Sequence, residues 1–326
     1  MRRVAALLAA ALLVLALGGC GGGGAEPGAP KGATLVLDFQ PNAVHSGIYA
    51  AQANGYFKDA GLDLHIQEPS STADSAKLLE AGRADLAVMD INDFGIARER
   101  GLNLDAIAAI VQRPLASVIA RDPNEIRTPA DLAGKTIGVT GVPSDDAVLD
   151  TILRSGGVDP SDVHRVTIGF NAVADLAAGK VDAATAFWNA EGVELQQQGI
   201  PIREFRVDQF GAPRYPELVV ATTPERCDLA SMFASGLQPG YDELAPGTAA
   251  PLQDLLEAVP SLSRSVQARE FHSLLDAAAF SARHGSRPSI ELARGATSAW
   301  VQWAAGHDVI SASSEAKVSS GFAGCD

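Results

Sequence analysis

The sequence predicts an α/β protein of two lobes, each a mostly parallel sheet flanked by helices, with a hinge between them. Short apolar runs alternate with helical patterns at the spacing of βαβ units. The alternation falls into two successive series, at 33–116 and 121–213. A further strand-like run then leads into a mainly helical remainder, which predicts a chain that returns to complete its first lobe.

In order, Thr34–Phe39 is an apolar run ending in polar residues, and 43–58 has helical periodicity with Val44, Ile48 and Ala51 on one face. His45 and Tyr49 share a neighbouring face with Gln52. Strand Leu62–Ile66, helix Ser71–Gly82, strand Leu86–Met89 ending in Asp90, helix Asn92–Arg100 and strand Ala106–Gln112 follow. The next series contains strand Ala116–Arg121, a capped turn at Thr128–Leu132, and strand Thr136–Thr140. A helix from Ser144 has Asp145 and Asp146 in its first turn, where carboxylates favour the dipole. Strand Val166–Gly169, helix Val173–Gly179, strand Asp182–Phe187 and helix Gly192–Gln198 close that series. Strand Glu217–Thr222 and helices Leu252–Val259, Ser265–Ala282 and Ser289–Ala305 complete the reading, separated by Gly/Pro breaks. Lobe 1 is therefore assigned to 33–118 plus 216–326 and lobe 2 to 119–215, with crossovers near 117–122 and 212–217.

The N-terminus adds an address. Arg2-Arg3, an apolar run from Val4 to Leu17 too short to span a bilayer comfortably, and Leu17-Gly18-Gly19-Cys20 read as a secretory signal over 1–19. Cys20 after two small residues resembles the lipidated cysteine of a bacterial lipoprotein, and 20–32, rich in Gly, Ala and Pro, reads as its flexible tether. An exported, membrane-anchored protein is expected. Pairing of Cys227 with Cys325 would then close a loop of about 100 residues, worth about 4 to 5 kcal/mol by chain entropy. Two free thiols are the alternative.

The 326 residues are 47% hydrophobic, enough for a sizeable core. Acidic residues outnumber basic ones 39 to 25, for a net charge of -14. Nucleic acid, which demands a basic footprint, is excluded. Gly134-Lys135-Thr136 has the tail of a phosphate loop, but Pro129 stands where its first glycine belongs. No H-E-x-x-H, no G-x-S-x-G and no cysteine within the two series argues for catalysis, and no metal site or cofactor is indicated.

The most specific stretch is Asp38-Phe39-x-Pro41-Asn42-x-x-His45-x-Gly47-Ile48-Tyr49, at a strand-to-helix junction where α/β folds bind ligands. With Gly55-Tyr56-Phe57, Gly82-Arg83-Ala84-Asp85-Leu86, Gln112-Arg113-Pro114, Asp131-Leu132-x-Gly134-Lys135-Thr136, Gly179-Lys180-Val181-Asp182 and Phe187-Trp188-Asn189-x-Glu191-Gly192, it resembles the NMT1/THI5-like substrate-binding proteins of ABC transporters. These are related to the nitrate, sulfonate and taurine binders. The resemblance covers 34 to about 224 and fades beyond. It implies a type II periplasmic-binding-protein fold, a monomer that passes its ligand to a permease and its ATPase, and a ligand such as a thiamine pyrimidine precursor or riboflavin.

The motifs that carry the resemblance imply ligand contacts from Asp38, Phe39, His45 and Tyr49 in one lobe and Trp188, Asn189 and Glu191 in the other; Asp90 joins them because it follows an apolar strand as Asp38 does, with Asn92, Asp145 and the hinge residue Tyr215 as weaker candidates. Phe39 stands where family members commonly carry Trp, which keeps a stacking face and removes the indole N–H. Fungal relatives are pyrimidine synthases that consume their own His and need a cysteine-rich iron site. His45 matches that His, but the cysteines are missing. A receptor for small anions is the other alternative; it would want Arg, Lys or helix N-terminal amides where this set offers carboxylates and aromatics.

Overall fold

The structure, a computed structural model, describes residues 30–69, 74–141, 143–245, 247–282 and 286–325. The expected signal peptide, Cys20 and most of the expected tether lie outside them. The chain enters β1 (Lys31–Val36), so the last two residues assigned to the tether, Lys31 and Gly32, instead pair with Leu62 and Asp63 of a neighbouring strand.

A 3-10 turn over Ala43–His45 leads into α1 (Ser46–Ala53) and α2 (Tyr56–Asp59). Next come β2 (Leu62–Gln67), α3 (Asp74–Glu80), β3 (Leu86–Asp90), α4 (Ile91–Glu99) and β4 (Asp105–Val111). The second series is β5 (Ala116–Arg121), β6 (Thr136–Val139), α5 (Pro143–Ser155), β7 (His164–Thr167), α6 (Ala172–Ala177), β8 (Ala183–Phe187), α7 (Glu191–Gln197) and β9 (Ile202–Arg206). β10 (Leu218–Thr222), α8 (Cys227–Asp242), α9 (Ala250–Ala258), α10 (Arg264–Asp276), α11 (Arg294–Gly306) and α12 (Glu315–Ser320) follow.

Two sheets result, ordered β2-β1-β3-β10-β4 and β7-β6-β8-β5-β9. Each repeats one plan. The first parallel strand of the series lies between the second and third, and a reversed strand, β10 or β5, lies beside the third. β5 pairs antiparallel with β8 and β9, so the chain has already crossed to the second sheet by Ala116. The first crossover is therefore 112–115, earlier than the 117–122 read from sequence, and the lobe boundary at 118/119 cuts through β5. The run Ala116–Arg121 looks like any buried strand, and nothing local says which sheet it joins.

The central strands β3 and β10 of the first sheet are buried on both faces, as their unbroken apolar runs require. Leu86 and Val88 join Leu35, Leu37 and Val220 under α1 and α8, while Ala87 and Met89 join Val36 and Val219 under α4 and α11. Strand alternation thus sorts one run of residues into two cores. The helix read over 43–58 is broken at Asn54-Gly55, where Gly55 adopts a left-handed φ of 76° between α1 and α2. α8 was not anticipated, because Gly236, Pro239 and Gly240 resemble breakers. The two glycines instead permit close packing: a Cβ on Gly240 would meet the Gly47 carbonyl oxygen of α1, and one on Gly236 would meet Phe57 of α2. β9, a charged edge strand, was also missed. Cys227, opening α8, is disulfide-bonded to Cys325, with Cα atoms 5.3 Å apart. No helix among the described residues is long and apolar enough to cross a membrane.

Candidate functional site

A cleft opens between the two sheets at the carboxyl ends of β1, β3 and β8. Asp38 follows β1 and faces it. His45 stands behind: its Nδ1 accepts the Asn42 N–H at 3.2 Å, which leaves Nε2 to donate to Asp38 Oδ1 at 2.8 Å. Asn42 Oδ1 in turn accepts the Val44 N–H, capping the 3-10 turn. The Asp-x-x-x-Asn-x-x-His spacing therefore builds a support that holds one carboxylate at the cleft wall.

Asp90 ends β3 and caps α4, accepting the Asn92 N–H at 2.6 Å. Burial pushes its carboxyl up to about 6. Behind it, Glu217 is fully buried and accepts the Leu115 N–H at 2.9 Å, joining the two crossover segments. Burial and the Asp90 carboxyl hold Glu217 well above the usual carboxylate range. One turn into α4, burial and the nearby Asp90, Asp145 and Asp38 push Asp93 up to about 7.

From the second lobe, Asp145 Oδ2 accepts from both the N–H and the hydroxyl of Thr140, at 2.6 and 2.5 Å. Glu191 opens α7 and reaches back to the Phe187 N–H at 3.0 Å; burial raises its carboxyl. Asn189 is buried and lines the cleft, and its Oδ1 has no hydrogen-bond partner. Phe39 and Phe170 meet across the cleft with ring centroids 5.5 Å apart, one from each lobe. Among the lining residues there are five carboxylates and no Lys, Arg or His.

Of the expected site residues, Asp38, Phe39, Asp90, Asn189 and Glu191 line this cleft, as do Asp145 and Asn92. Four do not. His45 is fully buried with both ring nitrogens engaged behind Asp38. Tyr49 points into the core with Ile48 and Phe57, and burial first, then Glu68, pushes its phenol up to about 12. Trp188 is turned into the hinge, where its Nε1–H donates to the Pro114 carbonyl at 3.1 Å and the Arg206 guanidinium lies 4.0 Å from its ring centroid. Tyr215 is fully buried against Trp303. For His45, Tyr49 and Trp188, a motif neighbour of a cleft residue packs on the wall's far side, which sequence adjacency cannot distinguish. Asp93, Phe187 and Phe170 were missed. Phe170, 59% exposed, carries only the weak signal of a lone aromatic in a turn.

The sequence profile described as NMT1/THI5 like matches residues 42–246. The chain belongs to the NMT1/THI5-like family. Among its relatives, the formylaminopyrimidine-binding protein of Halalkalibacterium halodurans is 33% identical over 213 residues, 64% of either chain. A 4-amino-5-hydroxymethyl-2-methylpyrimidine phosphate synthase of Saccharomyces cerevisiae is 29% identical over 185 residues, 54% of either chain. The chain thus spans less than two thirds of the length of these NMT1/THI5-like relatives. The alkanesulfonate-binding protein of Xanthomonas axonopodis pv. citri bound to MOPS superposes with a TM-score of 0.66 at 18% identity, covering 86% of this chain and 94% of that one. The fold is the two-lobed α/β fold of periplasmic binding proteins.

Proposed function

We propose that this protein is an extracytoplasmic solute-binding component of an ABC importer that captures a small aromatic heterocycle rich in N–H donors. A thiamine pyrimidine precursor is the first candidate and a riboflavin-like ring the second. One observation carries the reading: carboxylates from both lobes, Asp38 and Asp90 on one side and Asp145 and Glu191 on the other, face one cleft whose mouth is aromatic and whose lining has no basic side chain. Carboxylates accept hydrogen bonds from ring N–H and amino groups, and Phe faces suit planar rings. Neither wall alone offers the full set. A ligand held by both favours the closed arrangement and shifts the hinge toward it, which a permease can read. The relative named as a formylaminopyrimidine-binding protein supports the ligand class. Membrane attachment through a lipidated Cys20 belongs to the same proposal.

Small anions fit poorly, because an acidic cleft repels them. The synthase named among the relatives keeps a catalytic reading as the competitor, and His45, fully buried behind Asp38, is a poor candidate for a consumed side chain. Calorimetric titration with hydroxymethylpyrimidine, formylaminopyrimidine, riboflavin, taurine and nitrate tests the proposal. Binding of at least one heterocycle and of neither anion is expected. Binding of taurine or nitrate with no heterocycle would overturn the ligand class. Formation of pyrimidine from a bound pyridoxal compound with iron would overturn the non-catalytic role.

A further inference from the structure

We propose that the cleft takes its ligand as an organic cation, an amine- or amidine-bearing ring, and that Asp93 is the carboxylate that selects for the charge. The proposal rests on the heterocycle reading above and adds the charge state to it. Asp38, Asp90 and Asp145 are each engaged by protein partners: Asp38 by His45, Asp90 by the Asn92 N–H and the Glu217 carboxyl, and Asp145 by Thr140, Thr185 and the Gly141 backbone. Asp93, on α4, has no hydrogen bond or ion pair among the described residues, although it lines the same cleft. The charged groups facing it are Asp90 from the cap of its own helix, Asp38 from the loop after β1 and Asp145 from α5, with Arg100 beyond the far end of α4. Asp90 is itself backed by Glu217 from the second crossover. No cation within the cleft balances this group.

A second observation points to a ligand. Asn189 Oδ1, on the opposite lobe, is buried without a partner and belongs to the lining. An unpaired buried acceptor is costly unless a donor arrives. A metal ion is a poor candidate for that partner. Among the described residues, the sole set of three His, Cys or acidic ligand atoms within 4.8 Å of one another is Asp105 with the disulfide pair, outside the cleft. The cleft carboxylates are too widely spread to chelate one ion, and their spread suits a planar cation with donors on several edges. The Phe39 and Phe170 faces add cation–π attraction at the mouth.

Proton linkage follows. Burial and like charge favour a proton on Asp93, pushing its carboxyl up to about 7. A bound cation favours the ionised form and displaces that proton. Affinity for a fixed cation therefore rises with pH through the window around 7 and flattens above it.

The test uses two near-isosteric probes on the same 4-amino-2-methylpyrimidine ring, one with a 5-aminomethyl arm, charged near neutrality, and one with a neutral 5-hydroxymethyl arm. Titration calorimetry is run at pH 6.0 and 7.5, and at pH 7.5, where the shared aminopyrimidine ring is largely unprotonated, the aminomethyl compound is expected to bind at least about tenfold tighter than its neutral partner. Its affinity should also rise roughly five- to tenfold over that interval, as loss of one linked proton dictates. Asp93→Asn should remove most of both effects. If that variant fails to fold, the charge preference and pH profile of the native protein still decide. Equal binding of both probes with the same pH profile would overturn this inference and leave the heterocycle reading standing. Binding of neither probe, with binding of taurine or nitrate, would overturn both.

Discussion

Asp38→Asn is expected to weaken binding of a pyrimidine ligand by about 30-fold or more while leaving the melting temperature close to that of the native protein. Asp38 contributes a carboxylate to the cleft and its Oδ1 accepts from His45 Nε2. Hydrogen bonds to a charged, partly desolvated acceptor contribute about 1.5 to 3 kcal/mol each, and losing one from a ligand reads out in affinity. The amide can still accept from His45 but presents no negative charge to the ligand. Asp38→Ala separates the two roles further. It also strips the partner from a fully buried imidazole N–H, which costs about 1 to 3 kcal/mol of stability. Calorimetric titration paired with thermal melts checks both variants. Unchanged affinity in Asp38→Asn would reduce Asp38 to a residue that only orients His45.

Removing the disulfide by Cys227→Ser is expected to cost about 2 to 5 kcal/mol and to lower the melting temperature by roughly 5 to 15 °C. The two cysteines are 98 residues apart in sequence, so the bridge restricts a long loop of the unfolded chain. It joins the start of α8 to the C-terminal end, where the Gly321 carbonyl accepts the Ala106 N–H of β4 at 2.8 Å. Neither cysteine lines the cleft, so ligand affinity at 25 °C should change less than about threefold. Thermal melts with and without reductant, followed by titration, separate the effects. A fall in affinity without a fall in stability would show instead that the bridge shapes the cleft.

Much of the architecture was legible because strands buried on both faces announce themselves. Leu86–Met89 and Leu218–Thr222 are apolar on both faces and leave no other reading. The miss on α8 has the opposite cause. Gly240 is selected there for contact with Gly47 on α1, a tertiary reason that outweighs helix propensity and cannot be seen from within the segment. The cleft was half legible. Asp38, Asp90 and Glu191 end or follow strands, and topology brings strand ends to the ligand. His45, Tyr49 and Trp188 share their motifs but turn away, because each motif specifies a wall and the packing behind it. Phe170 and Asp93 could not have been found this way: one stands alone in a turn, and the other becomes notable only when Asp145 of the second lobe is brought opposite.

The central claim is that the ligand lies between the lobes and is held by both. The most direct measurement is a crystal structure of the protein with a bound aminopyrimidine. The ring should lie beneath Phe39 and Phe170, with hydrogen bonds to Asp38 or Asp90 from one lobe and to Asp145, Asn189 or Glu191 from the other. A ring held by one lobe alone, or seated outside the cleft, would contradict the account.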